Sequence, residues 1–151
     1  ACGYDFDGKI KPTHESHLIP TVMEVASGKK SSLTVFGCDY PTPDGSCVRD
    51  YVHVLDIARA HVLALEKFET IKNNWEIYNI GTGRGSSVLD IIQNAAETLS
   101  KMIPMEVGPR RPGDPAILVA DNLKIRKELG FELQYSDLPT ILKTSWNQII
   151  E

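Results

Sequence analysis

The run Leu33-Thr34-Val35-Phe36-Gly37-Cys38-Asp39-Tyr40-Pro41-Thr42-Pro43-Asp44-Gly45-Ser46-Cys47-Val48-Arg49-Asp50-Tyr51-Val52-His53-Val54-Leu55-Asp56 decides how the rest of the chain is read. Leu33 to Phe36 is a short β-branched and aromatic run and predicts a strand. Gly37 to Gly45 is dense in turn formers, and Val48 to Val54 predicts the returning limb. Pro41 and Pro43 fix φ and withdraw two backbone donors, and Asp44-Gly45 supplies a tight turn, so the loop is stiff. A stiff loop here places Arg49. Its guanidinium, set among Val48, Val52 and Val54, must find an acceptor, because an unpaired charge near a core is costly. An ion pair with Asp50 or Asp56 is one reading; a planar fork aimed at a phosphate is the other.

Outward from this run, 151 residues of which 42% are hydrophobic suffice to bury ~70% of the unfolded surface, so one core and one unit over residues 1–151 are expected. The expected fold class is α/β. No run approaches the roughly 18 apolar residues of a membrane span, and Ala1 to Lys11 is too polar for a signal peptide, which predicts a cytoplasmic protein without membrane contact. The start at Ala1 instead of Met reads as a piece of a longer protein. A net charge of −4 argues against nucleic acid as a partner, because that affinity rests on many phosphate neutralisations. Cys2, Cys38 and Cys47 lack CxxC or Cys/His ligand spacing. Free thiols fit a reducing compartment, with a hairpin disulfide between Cys38 and Cys47 as the alternative.

In chain order, Ala1 to Glu15 reads as loop. His17 to Gly28 predicts a helix striped by Ile19, Val22, Met23 and Ala26, with Pro20 in its first turn. His14 and His17 stand near its start, but no third ligand accompanies them, so no metal is expected. Val54 to Phe68 predicts an amphipathic helix with Val54, Ile57, Ala58, His61, Leu65 and Phe68 inward and His61 as a satisfied core residue. Trp75 to Ile80 predicts a strand running into Gly81-Thr82-Gly83-Arg84-Gly85-Ser86-Ser87. That turn imitates a dinucleotide fingerprint, yet Ser86 stands where the pattern needs Gly or Ala; Ser87 as N-cap with Asp90 three residues on explains it structurally.

Val88 to Met102 predicts a helix and Met105 to Gly108 a short strand. Pro109-Arg110-Arg111-Pro112-Gly113-Asp114-Pro115 is a rigid loop with two adjacent arginines. Asp121 is expected to cap a short helix ending at Gly130, with Leu123 and Leu129 inward. Ser136 is expected to cap a last helix striped by Leu138, Ile141, Leu142, Ser145, Trp146 and Ile149, with Trp146 as core anchor.

Phe36-Gly37-x-Asp39-Tyr40-Pro41-Thr42-x-Asp44-Gly45 followed by Val48-Arg49-Asp50-Tyr51-x-His53-Val54 resembles the UDP-glucose 4-epimerase family, of the extended short-chain dehydrogenase/reductase type. Glu15 to Pro20, Tyr78 to Gly83 and Pro109 to Pro115 occur in that family's order too. The resemblance covers nearly the whole chain and only the family's C-terminal half. It implies a substrate-binding part built as a small mixed sheet with helices, with the NAD-binding Rossmann half outside this sequence.

The implied activity is interconversion of UDP-glucose and UDP-galactose by NAD-dependent oxidation at C4, rotation of the 4-keto sugar and re-reduction. The Tyr-x-x-x-Lys pair that serves this chemistry does not occur: Gly8, Asp44, Leu55, Thr82 and Pro139 stand four residues after the five tyrosines. No catalytic residue is therefore assigned within the chain, and the isolated chain is expected to be inactive. The resemblance also implies that Arg49 and Arg111 contact the diphosphate, and Asp114, beside Gly113, accepts from ribose hydroxyls. Thr34, Val35 and Phe36 lie along the uracil, and Ser16, His17 and Leu18 close over the nucleotide. His17 departs from the asparagine common there. Leu118 occupies a place where bulk governs N-acetylated sugars, and leucine's intermediate size decides nothing. A homodimer is implied for the full-length protein. Other readings are another nucleotide-sugar epimerase or dehydratase and a non-catalytic nucleotide-sugar-binding module. An apolar face that another half would cover is expected to make the chain self-associate.

Overall fold

The computed structural model describes residues 2–4, 10–12, 17–68 and 75–150. Contrary to the expected loop over Ala1 to Glu15, β1 (Cys2–Tyr4) and β2 (Ile10–Pro12) pair antiparallel, with Gly3 opposite Lys11. Antiparallel pairing lets two short segments satisfy each other's backbone groups, and Pro12, at a strand end, leaves the ladder intact.

The core is built on β3 (Leu33–Phe36), which falls where the sequence places it and pairs in parallel with β6 (Met105–Gly108). Leu33 and Val35 point into the core, each 1% exposed. Three helices cover them: α1 (Leu18–Ala26), α3 (Val88–Leu99) and α5 (Leu138–Ile150). Val22, Met23, Ile91, Ala95 and Leu142 meet there with no exposed surface. Each fully buried aliphatic side chain stabilises by ~1.5–3 kcal/mol. Trp146 packs against this cluster, half-buried, with Lys101 over its ring.

The helices begin and end for local reasons. Ser87 Oγ accepts from the Asp90 N–H at 2.9 Å and starts α3, as its spacing predicts; Ser100, at φ 50°, stops it three residues before Met102. The expected cap Ser136 is spent elsewhere. Asp137 Oδ1 accepts from the Thr140 N–H at 2.9 Å and caps α5 instead. In α4 (Leu123–Leu129) the inward pair is Ile125 and Leu129, while Leu123 is 69% exposed. Asp121 Oδ1 does accept from the Leu123 N–H, at 2.9 Å.

The returning limb pairs over a shorter span than Val48 to Val54. β4 (Val48–Arg49) lies between β5 (Ser86–Ser87), antiparallel, and β7 (Ile117–Leu118), parallel, with Arg49 opposite Ser86 and Leu118. His53 then accepts from the Leu55 N–H and opens α2 (Val54–Lys67). Trp75 to Ile80, expected as a strand, joins no ladder among the described residues. Tyr78 and Ile80 pack with Ala60, Ile125, Leu129 and Phe131 in a second cluster, while Trp75 and Ile77 are exposed.

α2 corrects the sequence reading most. Its apolar stripe is amphipathic as read, but Val54, Ile57, Leu65 and Phe68 are exposed, and Asp56 and Ala60 face inward. His61 is exposed too and satisfies itself on the Ile57 carbonyl at 2.8 Å. The stripe leaves apolar side chains exposed along one helix, a feature of the kind that marks contact sites. Accordingly the chain should bind a hydrophobic dye and self-associate as its concentration rises. In Leu65→Glu/Phe68→Glu most of the dye signal should be lost and sedimentation should return to the monomer; unchanged dye binding and association would show that this face is not responsible.

Candidate functional site

Between α1, β3 and β4 lies a cavity of about 850 Å³. The start of α1 gives it His17, Leu18 and Thr21, and β3 gives Leu33, Thr34 and Phe36. The limb through β4 gives Cys47, Arg49 and Tyr51, which alternate in sequence and so share one side of an extended chain. Lys30, Val88, Arg111 and Asp114 complete the lining.

Arg49 is held by neither of the carboxylates its spacing offered. Its Nη1 donates to the carbonyls of Val48 at 2.8 Å and Pro115 at 2.9 Å, and its Nη2 lies 3.3 Å from Asp114 Oδ1. Asp50 and Asp56 instead accept from other donors. The adjacent arginines part company. Arg110 pairs with Asp39 at 2.7 Å and stacks 4.1 Å above the Tyr40 ring, whereas Arg111 reaches the cavity and sits 3.9 Å above the Phe36 ring. Gly37 makes that crossing possible: its φ is 79°, and a Cβ would meet Arg110 Cγ and Tyr40 Cε2 at 2.7 Å.

The electrostatics favour an anion. Lys30, Arg49 and Arg111 face a single carboxylate, Asp114, within a chain whose formal charge is −4. Asp114 is itself held against Arg49, so the cavity keeps net positive charge. Tyr51 adds a neutral polar group: burial pushes its hydroxyl up to about 12, against the opposing pull of Arg49, so it keeps its proton and can donate as well as accept. The buried Tyr40 hydroxyl has no hydrogen-bonding partner among the described residues, and burial raises its pKa. Cys38 and Cys47 are free thiols. Among the described residues no His/Cys/Asp/Glu group could hold a metal ion.

Of the residues expected at the site, His17, Leu18, Thr34, Phe36, Arg49, Arg111 and Asp114 come together around this cavity. Val35 points the other way, into the core. Gly113, with φ 83°, and Leu118, 59% exposed on β7, stand outside the lining. Ser16 and His14 lie outside the described residues. Thr21, Lys30, Leu33, Cys47, Tyr51 and Val88 were not anticipated. The two-residue period through Arg49 would have found Cys47 and Tyr51; nothing in the sequence singles out Lys30.

The glycine turn Gly81 to Gly85 is structural. A Cβ on Gly85 would collide with Val48, and one on Gly81 with Ala120, so both glycines are needed for close packing within the chain. Among the described residues no helix is long and apolar enough to cross a membrane.

Comparison with known proteins gives this geometry a context. The chain is 48% identical over 132 residues to UDP-glucose 4-epimerase of Corynebacterium glutamicum, a match covering 87% of this chain and 40% of the relative. To UDP-glucose 4-epimerase of Halalkalibacterium halodurans it is 44% identical over 149 residues, covering 97% and 44%. Its α/β fold, with small sheets and five helices among the described residues, superposes on solved structures. One is UDP-glucose-4-epimerase from Stenotrophomonas maltophila with bound NAD and formylated UDP-arabinopyranose, at TM-score 0.86, 40% identity and 95% of this chain to 42% of that chain. Another is UDP-glucose 4-epimerase from Bifidobacterium longum in complex with NAD+ and UDP, at TM-score 0.84, 36% identity and 99% to 44%. The chain thus spans 40% to 44% of the length of these proteins. With a family model matching residues 6–81, just over half its length, the chain belongs to the NAD dependent epimerase/dehydratase family.

Proposed function

We propose that this chain is the UDP-sugar-gripping part of a UDP-glucose 4-epimerase, which interconverts UDP-glucose and UDP-galactose at C4. The observation that carries the reading is the cavity, where Arg49 and Arg111 present guanidinium groups at a net positive site in an acidic chain. Guanidinium forks match diphosphate oxygens, and Asp114 can accept from ribose hydroxyls while remaining beside Arg49. Thr34 and Phe36 offer backbone and ring face to a uracil. Tyr51, fully protonated, is a further group for the ribose, and His17 and Leu18 border the nucleotide.

The chemistry explains why the grip is uneven. Inversion at C4 requires the sugar to be loose enough to present both faces, so retention has to come from the nucleotide and diphosphate, away from the reacting carbon. This chain supplies that retention. Its glycine turn does not fit NAD: the turn that imitates a dinucleotide loop is packed against Val48, Ala120 and Asp50, leaving no place there for a pyrophosphate. In this reading NAD and the catalytic base are held by protein beyond the matched region, in a homodimeric cytoplasmic enzyme, and this chain alone does not epimerise.

Calorimetric titration tests the proposal. The chain should bind UDP at one site, and more tightly than UMP, because the second phosphate engages the arginines; no binding, or equal binding of both, would overturn the grip. Turnover of UDP-galactose by this chain alone would overturn the division of labour.

A further inference from the structure

The glycine turn that resembles a phosphate loop holds a carboxylate of the chain's own. Asp50 Oδ1 accepts from the Thr82 backbone N–H at 2.9 Å and from Thr82 Oγ1 at 2.6 Å. Asp50 Oδ2 accepts from the N–H groups of Gly83 and Ala120, each at 3.2 Å. Consecutive backbone N–H groups converging on one anion form a nest, and here its occupant is a side chain. Gly81 is part of the arrangement, because a Cβ there would come within 2.6 Å of Asp50 Oδ2.

What this carboxylate joins gives it a role. β4 is flanked by β5, which follows the glycine turn, and by β7, which follows the loop carrying Asp114. Asp50 sits at the end of β4 and bonds to both sides: Thr82 and Gly83 ahead of β5, and Ala120 just after β7. Its neighbour Arg49 points into the cavity and is held by Pro115 and Asp114 from the same β7 side. Without the Asp50 carboxylate, the end of β4 would rest on two residue pairs on each side and on the bonds of the Arg49 side chain itself to Val48, Pro115 and Asp114.

We propose that Asp50 is a positioning residue for the diphosphate grip: it locks the end of β4 between the glycine turn and β7 so that Arg49 and Asp114 keep their facing geometry. The proposal rests on the nucleotide-sugar reading of the cavity, and its test is built to fail separately from that reading. Asp50→Ala should weaken UDP binding about tenfold in the otherwise unaltered chain, and by less than about twofold when Arg49→Ala is already present, since a positioning effect cannot outlast the group it positions. Equal fold losses in the two backgrounds would overturn it.

Nitrogen relaxation of the Arg49 Nε–H pair gives a readout without ligand. Asp50→Ala should loosen this pair while leaving the Arg59 pair, which serves Asp56 elsewhere, as it was. That pattern would uphold the positioning role even if the wild-type chain failed to bind UDP, in which case only the functional reading falls. An unchanged Arg49 signal, or equal loosening of Arg49 and Arg59, would overturn the role. Should Asp50→Ala not fold, Thr82→Val removes one of the four donors to Asp50, together with the contacts of that hydroxyl to Arg84; it should loosen Arg49 in the same direction and cost UDP about twofold, and no effect on either would overturn the proposal.

Discussion

Arg49→Ala is expected to weaken UDP binding by about 10- to 100-fold, the largest loss from any single change at the cavity. A hydrogen bond to a charged group contributes about 1.5–3 kcal/mol, and about 1.4 kcal/mol corresponds to a factor of ten. A second consequence adds to this. Asp114 lies 3.3 Å from Arg49, and without the guanidinium its carboxylate would face the diphosphate uncompensated. Arg111→Ala should cost less, because Arg111 is exposed and its guanidinium lies on the Phe36 ring, with no carboxylate among the described residues paired to it. Arg49→Lys should not restore affinity. An ammonium group cannot hold the Val48 and Pro115 carbonyls and also present a flat pair of donors to phosphate. Calorimetry with UDP at fixed ionic strength measures all three. Binding by Arg49→Ala equal to the unaltered chain would remove the diphosphate from this site.

The parts of the fold that could be read from sequence are those whose cause is local. Leu33 to Phe36 is a strand bounded by a glycine at one end, and Met105 to Gly108 stops at a proline, so both edges are written in the chain. Ser87 followed by Asp90 three residues later announces a helix start that needs nothing from elsewhere. The rejection of Gly81 to Gly85 as a cofactor loop was also available from one letter, Ser86. What sequence could not supply was the choice among distant partners. Arg49 had nearby carboxylates in Asp50 and Asp56, yet each is claimed by backbone N–H groups far along the chain, which leaves Arg49 to Asp114. A helical stripe likewise tells which face of α2 is apolar and not whether anything lies against it. Serine is a good cap, so Ser136 is the expected one, but its hydroxyl is committed to Asp56, and the neighbouring aspartate takes the role. At the cavity, the motif named the arginines and Asp114; Lys30 has no signature, since only the folded turn after α1 brings it there.

Asp56→Ala should destabilise the chain by about 3–5 kcal/mol, a large part of the ~5–15 kcal/mol typical of a whole domain. Asp56 has no exposed surface and collects donors from two regions: the Gln134 N–H at 3.0 Å, the Tyr135 N–H at 2.9 Å, the Ser136 hydroxyl at 2.7 Å and Arg59 at 3.3 Å. Ser136 in turn accepts from the His53 N–H at 2.9 Å, so one carboxylate ties the start of α2 to the segment that enters α5. Removing it leaves buried donors without acceptors. Asp56→Asn keeps one acceptor oxygen but turns an amide donor towards other donors, and should lose roughly half as much. Burial raises the Asp56 pKa, but the bonds from Ser136, Tyr135, Gln134 and Arg59 outweigh it and hold the carboxyl below its ordinary value of 3.8. A depressed folded-state pKa means stability that is fully present above 3.8 and lost as pH falls through the lower, folded value. Asp44 and Asp137 are depressed too, so acid sensitivity is shared and the informative quantity is a difference. In urea unfolding followed across pH, the gap between the unaltered chain and Asp56→Ala should be widest above about pH 5 and narrow steadily below pH 4. A gap that stays constant down to pH 2 would mean that the side chain acts by its shape alone, and that the charge contributes nothing to joining α2 and α5.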